Sequence, residues 1–212
     1  LSYLSPVSWG HPGAAYSKTE LGDYVFDVHQ RGGVVSIDAM LYRDGALDRS
    51  QVELLKAVRA RLKSGKPREP IPPGNLAFGK QAKLLSLDGS HELVVNGGVH
   101  FPRLGVDGRL DTFALAGGEW PWTYEVDLVD TVPLRRVKVT FGPGYATSFE
   151  IRLSADGAHW TTVASKEGHD GKPFEVTFEP TPARYIRILS IKPDGPDQPG
   201  SQMCVAELEA YK

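Results

Sequence analysis

Trp122-Thr123-Tyr124-Glu125-Val126-Asp127-Leu128 alternates a large apolar side chain with a polar one at every step. A period of two puts Trp122, Tyr124, Val126 and Leu128 on one face of an extended chain and the polar residues on the other, which predicts a half-buried strand. The pattern recurs downstream. Val137, Val139 and Phe141 alternate with Arg136, Lys138 and Thr140, and Phe149, Ile151 and Leu153 run up to the turn Ala155-Asp156-Gly157. Phe174, Val176 and Phe178 alternate with Glu175, Thr177 and Glu179, and the segments Arg184 to Leu189 and Val205 to Tyr211 complete the set. Short strands bounded by turns, with no helix-period segment between them, predict a mainly β domain, an antiparallel sandwich or jelly roll able to fold alone.

Upstream the texture changes. Residues 66–74 carry four prolines, Pro67, Pro70, Pro72 and Pro73, and read as a stiff extended linker. Before it, Leu21, Tyr24, Val25 and Val28 recur at helical spacing after Ser17 and Thr19, either of which suits an N-cap, and Gly32-Gly33 stops the run. Val34 to Leu41 reads as a largely buried strand. A second helix follows, with Asp48 as its cap, Gln51 in capping-box position and Leu55, Val58 and Leu62 as its apolar stripe. With Pro6-Val7-Ser8-Trp9 as a first strand, residues 1–65 alternate strand, helix, strand, helix, the order of a parallel sheet. Two parallel strands leave most of their edges uncovered, so this βαβα piece is expected to be the end of a larger α/β barrel of the TIM type and to need the remainder of that barrel as its partner. The expected domains are thus 1–65, the linker 66–74 and the sandwich 75–212.

The charge balance excludes some function classes. Lys and Arg number 24 against 26 Asp and Glu, a formal net charge of −2, so no global field favours nucleic acid or an anionic membrane. No apolar stretch approaches the ~20 residues of a spanning helix. Leu1-Ser2-Tyr3-Leu4-Ser5 has the marks of neither a signal peptide nor an initiator methionine, and the expectation is a segment cut from something longer. No Gly-x-Ser-x-Gly elbow occurs, the six histidines show no i, i+4 pair on a helix, and Gly142-Pro143-Gly144 leads into a strand rather than a phosphate-holding helix. Asp107-Gly108-Arg109-Leu110-Asp111-Thr112 places two carboxylates and a hydroxyl around a glycine turn, a donor set suited to calcium. The same aspartates equally suit the capping of turn amides.

The order of motifs in the second half resembles the discoidin, or coagulation factor V/VIII type C, domain, whose jelly roll includes the family 32 carbohydrate-binding modules. The resemblance rests on Asn75-Leu76-Ala77, Val106-Asp107-Gly108 through Asp111-Thr112, Glu125-Val126-Asp127-Leu128, Ser154 to Trp160, Ala183 to Arg187 and Ala206-Glu207-Leu208. Residues 1–65 resemble the last strands and helices of a family 29 glycoside hydrolase, an α-L-fucosidase-like barrel, through Ser8-Trp9-Gly10, Thr19-Glu20-Leu21, Gly32-Gly33, Asp44-Gly45 and Gln51 to Leu55. They depart from it at Ser36-Ile37-Asp38, where the family usually has a Leu-Asn pair.

The resemblances imply an accessory C-terminal segment of a secreted or periplasmic glycoside hydrolase, with the nucleophile and the acid/base carboxylate supplied by upstream barrel strands and no catalytic residue in this segment. Trp9 would line the barrel's sugar pocket. The sandwich would bind carbohydrate on loops at one end, and the candidates are Asn96, His100, Trp120, Tyr145 and Gln202. Trp122 and Trp160 are expected to serve packing. Where sugar-binding members often carry an arginine this chain has Tyr145, and Phe113-Ala114 replaces a common tryptophan. The resemblance also implies a structural calcium ion, Ca2+, held by the carboxylates of Asp107 and Glu207, the Thr112 hydroxyl and carbonyls including that of Arg109. The competing reading is a structural or protein-interaction module that braces the barrel and binds no sugar.

Overall fold

The computed structural model describes residues 3–30, 32–65, 72–95, 100–117, 121–192 and 203–212. The chain forms two compact units, Leu1–Glu69 and Pro70–Lys212.

In the first unit, Ser17 rather than Thr19 caps helix α1 (Lys18–Gln30): its hydroxyl accepts from the Glu20 amide at 3.0 Å while Glu20 reaches back to the Ser17 amide. Helix α2 (Arg49–Ser64) starts at Asp48, whose side chain accepts from the Gln51 amide, and stops at Gly65 with φ of 62°. Leu4, Leu21, Leu54 and Val58 form the core between them. Gln51 is buried and replaces a sheet as the tie between distant segments. Its Oε1 accepts from the Met40 amide and its Nε2 donates to the carbonyls of His11 and Gly13.

The two strands expected here do not form among the described residues. Tyr3 and Asp38 make a single parallel bridge, and Leu41 and Leu47 a single antiparallel one. Val34 is 92% exposed and Val7 71%, so the apolar run over 34–41 is not the buried strand that its composition predicts. A parallel strand is held by neighbours on both edges, and this unit supplies one contact.

Among its described residues the second unit has eight strands: β1 (Gln81–Ser86), β2 (Val94–Val95), β3 (Ala116–Gly117), β4 (Trp122–Phe141), β5 (Ser148–Ser154), β6 (Thr161–Lys166), β7 (Phe174–Lys192) and β8 (Val205–Tyr211). All the strand pairs are antiparallel. The segments read from sequence as separate strands, 122–128 and 137–141, are one element, and so are 174–178 and 184–189. Together β4 and β7 make a long two-stranded ribbon whose register shifts between Asp127 and Val132 and again between Leu134 and Arg136. Val129 takes φ of 75° at this corner, its amide donating to Asp127 Oδ1 at 2.7 Å. One half of the ribbon pairs with β1 and β5, the other with β8, and β6 extends β5. Folding the ribbon at its corner gives the two layers of a jelly-roll sandwich. The inward residues of the alternating pattern, Trp122, Tyr124, Val126, Val137, Val139 and Ile151, are all at 0% exposure.

Candidate functional site

The end of the sandwich opposite the ribbon's corner gathers several loops. The Gly142 amide donates to the Cys204 carbonyl, the Cys204 amide to the Gly144 carbonyl, the Thr147 amide to the Lys192 carbonyl and the His169 amide to the Thr147 carbonyl. Tyr145 and His100 both belong to this end. The His100 ring stacks on Phe113 at 4.3 Å with planes 14° apart, and burial lowers its pKa. Phe113 in turn lies against Gly142, where an added Cβ would come within 3.2 Å of its ring. Tyr145 is partly buried, edge-on to His169 at 5.8 Å and over Gly171, where an added Cβ would approach its ring to 2.7 Å. Tyr145 is therefore set in a wall of side chains. Asn96, Trp120 and Gln202 lie outside the described residues, as does the linker over 66–71.

Sequence reasoning missed His169 at this end and took Phe113 only as the replacement of a common tryptophan. His169 is buried among Phe141, Phe149, Phe174 and Tyr145, with no protein partner for its Nε2, and burial lowers its pKa. A neutral imidazole suits an aromatic enclosure of this kind, since the charged form would lose its hydration there. No local motif marks His169, because its neighbours come from three strands and a loop.

Trp122 is fully buried, as its alternation predicts. Trp160 is only partly buried, a correction to its expected place in the packing. Its indole N–H donates to the Gly157 carbonyl at 3.1 Å and the Arg187 guanidinium covers its ring at 4.0 Å. Trp9, in the other unit, is 71% exposed.

The loop over 105–112 meets β8 at a pair of carboxylates. Asp107 Oδ2 accepts from the Thr112 hydroxyl at 2.9 Å and Oδ1 from the Arg109 amide at 3.0 Å, so the turn-capping role read for Asp107 is present. Glu207, 4% exposed, accepts from the Gly108 amide at 2.9 Å, and Asn75 lies 3.5 Å from its other oxygen. Burial, with a smaller contribution from the Asp107 charge, pushes the Glu207 carboxyl up to about 8. Asp111 is turned away, its carboxylate held by the Arg109 side chain at 2.8 Å. Among the described residues no three His, Cys, Asp or Glu side chains cluster to hold a metal by themselves. Calcium at this place would thus need hydroxyl and carbonyl oxygens beside Asp107 and Glu207, and the Thr112 hydroxyl lies next to Asp107.

Residues 104–188 match the family model described as NedA-like, galactose-binding domain, of the F5/F8 type C group. Among solved structures, the chain is similar to chitosan-binding module 2 of a chitosanase/glucanase from Paenibacillus sp. IK-5, determined in complex with chitotriose. The two are 26% identical, with 65% of this chain and 100% of that one covered, at a TM-score of 0.54. It shares its fold with CpGH89CBM32-5 from Clostridium perfringens, in complex with GalNAc-β-1,3-galactose, at 17% identity over 63% of this chain and 96% of that one, TM-score 0.50. The structure of SpGH29 aligns with 92% of this chain at 16% identity and a TM-score of 0.51, and the chain spans 39% of that protein. No curated protein sequence matches the chain significantly. The second unit has the discoidin-type jelly-roll fold, and no helix among the described residues is long and apolar enough to cross a membrane.

Proposed function

We propose that the second unit is a carbohydrate-binding module serving a secreted or periplasmic glycoside hydrolase, α-L-fucosidase-like, whose barrel ends in residues 1–65. The observation that carries the binding reading is the similarity, at 26% identity and over its whole length, to a module solved with chitotriose. The ring of Tyr145 and the imidazole of His100 supply the aromatic and polar surfaces that a sugar needs at the loop end. The parent enzyme rests on less, a shared fold with SpGH29 across both units. Trp9 then belongs to the barrel's sugar pocket, and catalysis to carboxylates elsewhere in the barrel.

Glycan-array screening of the full chain, followed by calorimetric titration with chitotriose and galactose, tests the binding. Saccharide binding that weakens about tenfold, or ~1.4 kcal/mol, in Tyr145→Ala at a temperature where the variant stays folded is expected. A chain that binds no arrayed glycan overturns this reading and leaves a bracing module in its place.

For calcium, the residues that would hold it are Asp107, Glu207, Thr112 and the Arg109 carbonyl. The ion would join the 105–112 loop to β8 and compensate two neighbouring carboxylates of which one is buried. Because such an ion binds only the folded chain, saturating calcium should stabilise it by about 2.7 kcal/mol at a hundredfold excess over Kd. A chelator should lower the melting temperature by several degrees and added calcium restore it. Melting curves that coincide with and without chelator contradict the assignment.

A further inference from the structure

The outer face of the sheet formed by β1, the first half of β4 and the second half of β7 carries a cavity of about 360 Å³. It lies away from the loop end. Tyr185, which lines it, is seven residues along β7 from Lys192, whose carbonyl binds the 142–147 loop, a distance of about 23 Å at ~3.3 Å per residue.

The floor of this groove is fixed. Arg187 Nε donates to Glu125 at 2.7 Å with both side chains largely buried, and Arg184 clamps Asp127 through two bonds of 2.9 Å. Gln81 and Lys83 reach in from β1, whose register sets them opposite Asp127 and Glu125. Two tight turns flank it, one packed on the Arg187 guanidinium and the other lining the groove through Gly157. In one, Ser86 accepts from the Ser90 amide at 3.1 Å, and its Gly89 stands where a Cβ would lie 2.6 Å from the Arg187 guanidinium. In the other, the Gly157 amide donates to Ser154 at 2.9 Å, and Asp156 accepts from the amides of Ala158 and His159. Gly157, with φ of 78°, leaves the edge of Tyr185 uncovered: a Cβ there would sit 3.4 Å from the ring.

The chemistry of the lining selects its ligand. Three cations, Lys83, Arg184 and Arg187, are paired with three anions, Glu92, Asp127 and Glu125, so the groove favours neither an acid nor a base. It offers an aromatic edge, an amide and ion-paired planar groups whose remaining lone pairs and N–H groups suit vicinal hydroxyls. Its volume falls at the lower end of the ~300–1,000 Å³ of small-molecule sites.

We infer that this groove is a second saccharide site, for a neutral hexose unit, on the face of the sheet rather than at its loop end. A module with two such sites engages one glycan at two points or two neighbouring chains at once, and gains avidity without tighter contacts at either.

Nuclear magnetic resonance of the ¹⁵N-labelled full chain, titrated separately with methyl β-galactoside and triacetylchitotriose, tests the site. At least one sugar should shift the Trp160 indole signal and the Gly157 and Tyr185 amides, with a Kd on the order of millimolar. Tyr185→Ala should weaken those shifts about tenfold, and Gln81→Ala, at an exposed position that cannot threaten the fold, about threefold. Groove signals that stay still with both sugars up to about 50 mM, some fiftyfold above that Kd, overturn the proposal. So do shifts that persist undiminished in Gln81→Ala. Loop-end shifts at Tyr145 and His169 without groove shifts refute this site alone, and the reverse pattern refutes the loop-end site alone.

Discussion

Trp122→Ala should destabilise the second unit by about 3–5 kcal/mol, the cost of a large aromatic truncated in a core that can only partly collapse. Trp122 is at 0% exposure as the first residue of β4, opposite Ser86 on β1, with its ring edge-on to Tyr124 at 6.4 Å and 83°. It bears on both layers, because Tyr124 also donates its hydroxyl to the Pro102 carbonyl and so fixes the 102–105 segment beneath β8. Trp122→Phe is the informative companion. The indole N–H of Trp122 has no protein partner, so phenylalanine removes a buried unsatisfied donor while keeping most of the apolar volume, and its cost should stay below that of alanine by about 2 kcal/mol. Urea unfolding followed by β-sheet circular dichroism measures both. A Trp122→Ala midpoint indistinguishable from the parent would mean that the site repacks freely.

The core is where the sequence was most readable, and the reason is geometric. In an antiparallel sandwich one face of each strand is wet, so burial is written as alternation, and Trp122 to Leu128 and Phe149 to Leu153 follow it, whereas Val205 to Ala210 is buried on both faces. The corner was not readable. Nothing in Val129 to Pro133 announces that two half-strands join into one ribbon, because the bend is enforced by pairing with Thr181, Pro182 and Ala183 on β7. Apolar composition misled at Val34 to Leu41, where a run rich in strand formers lacks the neighbours that would make it a strand. At the loop end, Tyr145 was visible as an aromatic between turns, but its support by His169 depends on residues far apart in the chain. The groove was hidden for the same reason. Of its members only Glu125 and Asp127 were read as the outward polar half of a strand, 81–86 was not read as a strand, and only the register between β1, β4 and β7 aligns them.

Arg187→Ala should cost about 3 kcal/mol, the largest effect expected of any charged residue here. Three separate contacts converge on this guanidinium: the carboxylate of Glu125 at 2.7 Å, the Trp160 ring at 4.0 Å and the backbone of the turn at Gly89. The ion pair is 15% and 13% exposed, so removing the arginine strands a carboxylate where water reaches it poorly. Arg187→Lys should recover little, since a compact ammonium cannot present one edge to Glu125 and its flat face to an indole. The double variant Arg187→Ala with Glu125→Ala separates desolvation from packing. If the penalty is chiefly the stranded charge, the double variant should be more stable than Arg187→Ala alone, with a coupling of about 1–3 kcal/mol. If instead stacking on Trp160 dominates, adding Glu125→Ala recovers nothing, and the near-ultraviolet dichroism of Trp160 collapses equally in both. Either result fixes what holds the 154–160 turn against the sheet. An Arg187→Ala chain that melts with the parent contradicts both accounts and leaves the groove without its floor.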